Sequence, residues 1–498
     1  MTDKDREAFE RKVFEYCRKY DLIFGPRIAV GLSGGPDSVC LLKLLDKFNK
    51  SGLTEAKITA VHVNHNLRPG ECDEDEAFVR DLCARLDIDL FVKSVDVGKT
   101  AFDLGVSVEE AGRIVRYEYL REVAASEGTE GYVIATAHHK GDLSETMLMN
   151  LFRGTGLDGL CALQPKQGDL VRPLLCVTKE EITDYLDSAG SRYVTDKTNF
   201  EDIGTRNVWR NKIIPYIGEY TSRDPEDALV ASHELLSQDR DFMESAADEA
   251  YGEFVEEIGT YKALDCGLRA LHDAVASRVV RRLWKETFGS LTDFEAVNLR
   301  IARDLIRKDD LEGFTTVDMP FGRIMWRSED LAGFSEPGAI DDVAMALAAR
   351  SGYITSPEEV EIELCDGVKE NIPGTNLTIE CSIVEKIDKL SYNICSWICP
   401  LDMAPVKGSR IVLKNGVQGM KFTKAGSAGG KILKDIFAAN KVPRPARSHV
   451  LAAAAEDTAL WVPGAGHAAG FTDLKSYEKF LGENCEGRYL EVKIYSEE

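Results

Sequence analysis

The sequence predicts an α/β fold: an N-terminal doubly wound parallel sheet, a helical middle domain and a small α+β C-terminal domain. Three observations lead there. Between residues 27 and 217, apolar runs of strand length alternate with longer segments of helical period, the pattern of a parallel sheet covered on both faces. The first of these runs turns through two glycines directly into a helix start. Past Pro215 the alternation stops, and apolar residues at three- and four-residue steps take over.

In order, strands are expected at 28–32, 58–63, 90–95, 132–136 and, shorter, 171–175. Helices at 39–48, 73–86, 108–125, 143–151 and 179–189 fill the gaps. Ligands on such sheets bind beyond the carboxyl ends of the strands, so chemistry should gather after Leu32, Val63 and Thr136. The stretch 224–349 reads as helical on Leu229, Leu235, Val279, Val280, Leu283, Trp284, Leu299 and Leu305. A polar connection at 351–357 marks a second boundary. Beyond it, strands are expected at 360–364, 377–382, 411–413 and 460–462, with a helix at 430–439. The domains are thus 1–217, 218–350 and 358–498.

A chain of 498 residues is too long for one ordinary core. No apolar run approaches the ~20 residues that span a bilayer, and the charged N-terminus lacks a signal core, which points to the cytoplasm and away from a membrane. Twelve cysteines without a C-x-x-C pair fit buried reduced thiols better than disulfides or zinc. A net charge of −23 argues against indiscriminate nucleic-acid binding but leaves room for a local basic face.

The glycine turn reads Ser33-Gly34-Gly35-Pro36-Asp37-Ser38. A strand turning through glycines into a helix start aims backbone N–H groups and the positive end of the helix dipole at one spot, and that spot binds phosphate. The loop holds no lysine, so it is not the G-x-x-x-x-G-K-[ST] type. Asp37 would repel phosphate unless it coordinates a metal or orients a donor, which implies Mg²⁺. After the second strand, His62 and His65 open a polar loop without a third ligand at zinc spacing. Arg113, Arg116 and Tyr117 share a helix face suited to phosphate and base contacts, or simply to solvent and to Glu109 and Glu110.

His138-His139 and then Asp142 and Glu145 follow the fourth strand. Spacing leaves the two carboxylates open as helix caps or as a pocket for an amine, with His138 as general base or phosphate donor. Asp196 to Asn199, then Arg206 and Arg210 around Trp209, form a cationic stretch that is either a nucleic-acid contact or a solvated linker. From Lys407 to Arg447, basic residues including Lys421, Lys431 and Lys434 outnumber acids, which suits an RNA-binding face in so acidic a chain.

Taken in order, these segments resemble the tRNA(Ile)-lysidine synthetase family of PP-loop ATP pyrophosphatases. The loop alone reaches only the superfamily. The family is carried by His65-x-Leu67-Arg68, Arg113 with Arg116-Tyr117, His138-His139 with Asp142 and Glu145-Thr146, Arg153-Gly154, Arg172-Pro173-Leu174-Leu175, Asp196-x-Thr198-Asn199 with Arg206-Asn207, and a weaker C-terminal set around Lys434, Phe437, Val442-Pro443, Arg447 and Trp461-Val462-x-Gly464.

The resemblance implies a two-step ligation. ATP adenylates the C2 oxygen of the wobble cytidine in an isoleucine tRNA with a CAU anticodon, and the amine of free L-lysine then displaces AMP. It implies ATP held at Ser33 to Ser38, Mg²⁺ on Asp37, and Arg113 on the α-phosphate. Lysine would be bound by Asp142, Glu145 and Arg206, with tRNA on Arg116, Arg210, Lys421, Lys431, Lys434 and Arg447. A homodimer follows only from the resemblance. The chain departs from the family pattern at Gly141, at Gly419-Met420-Lys421 and at Ser448-His449. Two competing readings are a tRNA 2-thiolation enzyme, whose chemistry uses cysteine pairs absent here, and a relative that binds tRNA without catalysis.

Overall fold

The computed structural model describes residues 1–65, 71–126, 131–194, 205–292, 294–309, 311, 313–385, 395–401, 406, 408–424, 429–463, 466–467 and 488–496. They fall into two compact units, Met1–Phe242 and Met243–Glu498.

The first unit is built on one sheet. Its strands are β1 (Arg27–Gly31), β2 (Lys57–Asn64), β3 (Asp89–Ser94), β4 (Tyr132–Ala135), β5 (Lys166–Gln167) and β6 (Leu170–Val171), in the order β3-β2-β1-β4-β6-β5. All neighbours run parallel except β5 with β6. The helices are α1 (Asp3–Lys19), α2 (Pro36–Lys50), α3 (Glu71–Leu86), α4 (Val97–Leu104), α5 (Val108–Ser126), α6 (Lys140–Phe152), α7 (Leu157–Leu160) and α8 (Lys179–Ser188). After them come α9 (Thr205–Val208), a π-helical turn at Trp209–Ile213, α10 (Ile214–Tyr220) and α11 (Pro225–Phe254).

A parallel strand buried on both faces must be apolar at successive positions. Ile28 and Val30 join the core made with α1, α2, α3 and α8, while Ala29 between them joins the opposite core with Val61, Ile134 and Leu120 of α5. β2 and β3 are added on one side of β1 and β4 on the other, so the connections that leave β1 and β4 part at their carboxyl ends. Sheets of this kind bind their ligands where the connections part. The expected strand at 171–175 stops at Val171, because Pro173 has no N–H to give a ladder, and turns carry the chain through Val177.

In the stretch 224–349, α11, α12 (Asp273–Phe288), α13 (Ala296–Arg307) and α14 (Ile340–Arg350) are joined by a five-stranded antiparallel sheet that the reading did not anticipate. Its strands are β7 (Val255–Ile258), β8 (Tyr261–Asp265), β9 (Phe314–Asp318), β10 (Ile324–Ser328) and β11 (Leu331–Ser335), in the order β7-β8-β11-β10-β9. Trp284 and Leu283 of α12 and Leu305 of α13 bury against Leu264, Met325 and Phe334 of this sheet.

The C-terminal stretch is β-rich. A seven-stranded sheet includes Glu361–Glu363, Ile411–Lys414, Ala452–Ala455 and Thr458–Val462, and a four-stranded sheet includes Leu377–Val384, Cys395–Pro400 and Tyr489–Ser496. A helix among the described residues spans Leu433–Ala439. Trp397 and Trp461 stack 5.8 Å apart within their common core. No helix among the described residues is long and apolar enough to cross a membrane. The described cysteines are free thiols, and burial pushes those of Cys395 and Cys399 up to about 11 and about 12.

Candidate active site

The phosphate loop leaves β1 where the Leu32 N–H donates to the Val61 carbonyl at 2.9 Å. Gly34 has φ +90°, and a Cβ there would lie 3.4 Å from Val79 Cγ2 and 3.5 Å from Val194 Cγ2. The space would admit a Cβ in ordinary contact; it is the positive φ that calls for glycine. Gly35 caps α2 and Pro36 fills the first helical position, where a missing N–H costs nothing. Ser38 Oγ donates to the Gly35 carbonyl at 3.0 Å and accepts the Ser33 N–H at 3.2 Å, with Ser33 Oγ 3.1 Å away. The two hydroxyls therefore brace the loop around the N-terminus of α2.

Asp37 is not alone beside this spot. Lys179, the first residue of α8, places Nζ 2.6 and 2.7 Å from the two Asp37 carboxylate oxygens. A lysine donor on Asp37 is one of the two roles open to it on sequence. Lys179 itself escaped the sequence reading, since it lies 142 residues away from its partner.

The second cluster opens α6. His139 caps the helix: its Nδ1 accepts the Gly141 N–H at 3.1 Å, and Asp142 Oδ2 accepts the His139 N–H at 2.9 Å. Asp142 thus caps with one oxygen and turns the other toward cations. Its Oδ1 accepts from Arg206 Nη2 at 3.0 Å and from Arg210 Nη2 at 3.4 Å. Glu145, 1% exposed, takes Arg206 Nε at 2.7 Å, Arg210 Nη2 at 3.0 Å, and Arg210 Nε on its other oxygen. Two carboxylates and two guanidiniums close a neutral square.

Burial alone would raise the Asp142 carboxyl, but His139, His138 and Arg206 outweigh it and bring it down to about 2. Burial also opposes the charge on Arg210, yet Glu145, then Asp142 and Asp37, outweigh that and raise it. The field of Asp37 at Arg210 ties the two clusters together across the β1/β4 crevice. His138, bonded through Nδ1 to Thr136 Oγ1 at 3.0 Å, is pushed down to about 4, first by burial and then by Arg172, Arg206 and His139.

Other expected residues are placed differently. Arg116 Nη2 lies 3.4 Å from His65 Nε2 at the end of β2, and burial, then Arg116 and His62, push His65 down to about 4. Arg113 lies over the Tyr117 ring at 5.5 Å and 3.6 Å from Glu110, all on its own helix. Arg206 and Arg210, read as contacts for a carboxylate and for tRNA, are both turned onto Asp142 and Glu145. Lys421, Lys431 and Lys434 are exposed, whereas Arg447 is half-buried and donates through Nε to the Val442 carbonyl at 3.0 Å. Asn66 to Arg68, Asp196 to Asn199, Lys407 and Gly464 lie outside the described residues.

A parallel sheet whose first strand runs into a braced two-glycine loop, with the nucleotide crevice at its winding reversal, defines a protein of the ATP-binding PP-loop class. The PP-loop domain family matches residues 6–217, and the TilS substrate C-terminal domain family matches residues 411–479. The tRNA(Ile)-lysidine synthase of Caldanaerobacter subterraneus subsp. tengcongensis is 31% identical over 94% of this chain and 96% of its own. Those of Clostridium acetobutylicum and Clostridium tetani are 30% and 28% identical, over 95% and 97% of this chain and 96% and 98% of theirs. The chain belongs to the tRNA(Ile)-lysidine synthase family.

Proposed function

We propose that this protein joins free L-lysine to C2 of the wobble cytidine of an isoleucine tRNA with a CAU anticodon, by way of an adenylated tRNA, releasing AMP and pyrophosphate. A ring carbonyl is a poor electrophile. Transfer of AMP to its oxygen converts that oxygen into a leaving group, and attack by the lysine amine at C2 then expels AMP with the C2–O bond. The product reads AUA in place of AUG.

The loop from Ser33 to Ser38 and the N-terminus of α2 would hold the pyrophosphate end of ATP. Among the described residues no three His, Cys, Asp or Glu side chains cluster to hold a metal, so a Mg²⁺ at Asp37 would take its other ligands from phosphate and water, as that ion commonly does. Asp37 fits that use, and the ion when bound supplies charge neutralisation to the departing pyrophosphate. Lys179, paired with Asp37, would share the same negative charge. Arg113 would serve the α-phosphate.

Asp142 and Glu145 would bind the amino groups of lysine and Arg206 its carboxylate. His138, neutral at physiological pH, offers an imidazole nitrogen to the proton that the attacking amine must lose. Arg116, Arg447 and the exposed Lys421, Lys431 and Lys434 would hold the tRNA by its phosphates. These substrates place the reaction in the cytoplasm. A homodimer would appear as twice the 55.1 kDa chain mass.

The observation that carries this reading is the buried carboxylate pair of α6 beside the phosphate loop, in a chain of this family. Purified protein with ATP, labelled lysine and the CAU-anticodon tRNA should put label into the tRNA. Unlabelled tRNA, with ATP still bound, would leave a binding protein without the ligase.

A further inference from the structure

The acidic pair proposed to bind the amine is fully occupied. Asp142 Oδ2 is used by the His139 N–H, and its Oδ1 and both oxygens of Glu145 receive guanidinium donors. With two acids against two bases, a further cation cannot join without unbalancing a site in which Glu145 is 1% exposed. An entering ammonium must exchange for a guanidinium already there.

The geometry names the one that leaves. Arg206 bridges the two carboxylates with contacts of 2.7 and 3.0 Å, whereas Arg210 is forked onto Glu145 alone, at 2.5 and 3.0 Å, and reaches Asp142 only at 3.4 Å, so its departure frees one carboxylate and leaves the bridge in place. Arg210 also lies in the π-helical turn Trp209–Ile213. Such a turn holds one residue more than an α-turn, and returning to α geometry would rotate the following side chains by about 100°.

We propose, resting on the amine-pocket reading above, that Arg210 is a specificity-determining residue whose guanidinium stands in for the substrate amine until the amino acid displaces it. The displaced guanidinium, left near Arg206, then needs an anion. The α-carboxylate of the same amino acid supplies it. With its reacting amine neutral, as attack requires, lysine brings one ammonium and one carboxylate and restores the charge balance, whereas cadaverine in the same state brings an ammonium alone. Arg210 thereby turns a general cation pocket into one for amino acids.

The experiment is equilibrium dialysis of labelled L-lysine, and of cadaverine (its decarboxylated analogue), against the full chain and Arg210→Gln, with ATP binding measured on both. The wild type should prefer lysine strongly. Arg210→Gln should bind both amines more tightly, cadaverine most, so that the preference falls at least fivefold while ATP affinity holds. A preference unchanged or increased in the variant would overturn the proposal. Arg210→Lys, which keeps the charge and loses the fork, should fall between, and serves if Arg210→Gln loses ATP binding; there, a preference at or above the wild-type one overturns the proposal. Wild-type protein that binds ATP but no lysine would overturn the amine pocket itself, a different failure.

Discussion

Glu145→Gln isolates the amine pocket with the least change of shape. The amide fills the same volume, but a side chain that is 1% exposed and holds two guanidiniums loses its charge. Breaking a wholly buried pair costs about 3–5 kcal/mol. Here the arginines are 38% and 35% exposed, so solvent takes up part of the loss and folding should suffer less. What the bound amine loses is one charge-assisted hydrogen bond, about 1.5–3 kcal/mol. At about 1.4 kcal/mol per factor of ten, the lysine requirement should rise roughly ten- to hundredfold. The ATP requirement should stay within about twofold, because the phosphate loop keeps its own braces. Steady-state label transfer with each substrate varied in turn measures both. Equal increases in the two requirements would refute the reasoning and leave Glu145 as a structural tie between α6 and the 205–213 segment.

Asp37→Ala should abolish AMP release, and undiminished release would remove the metal from Asp37. Gly34→Ala puts a side chain at φ +90°, a backbone strain of about 1–3 kcal/mol, so ATP affinity should fall about tenfold or more; wild-type affinity would show that the loop tolerates a Cβ. His138 and His65 both sit at about 4 in the fold, below their ordinary 6.5, so between those values each binds more protons in the unfolded chain, whereas Glu226, raised by burial to about 7, binds more in the folded one. The part of the stability owed to each histidine is therefore full above pH 6.5 and lost toward pH 4, at most about 3 kcal/mol apiece. His138→Asn should remove about half of that acid limb in urea titrations, and an unchanged limb would contradict the assigned burial. Lys431→Glu with Lys434→Glu should weaken tRNA binding and flatten its salt dependence while sparing ATP, and an unaltered salt slope would clear that face of tRNA.

What could be read without coordinates was what is local. The turn at Ser33 to Ser38, the strands before it and after it, and the carboxylates of α6 each lie within a few residues of the signal that reveals them. The pairings that give the site its chemistry are distant: Lys179 with Asp37 is 142 residues apart, and Arg210 with Glu145 is 65. Nothing in a cationic, Trp-bearing stretch says that its arginines fold inward to acids instead of outward to RNA. The antiparallel sheet of 255–335 hid for another reason. Its strands are four or five residues long, and runs that short satisfy helical spacing as easily as alternation. Arg447 shows a third limit, since counting charges cannot tell an exposed lysine from a half-buried arginine that gives one of its donors to a carbonyl.

In the proposed reaction the two-glycine loop grips the terminal pair of phosphates while the bond to the first phosphorus is broken. Identifying the nucleotide released per lysine joined, by chromatography of a reaction with α-labelled ATP, tests this most directly. AMP and pyrophosphate should appear in equal amounts, matching the lysine incorporated. ADP with inorganic phosphate would contradict it.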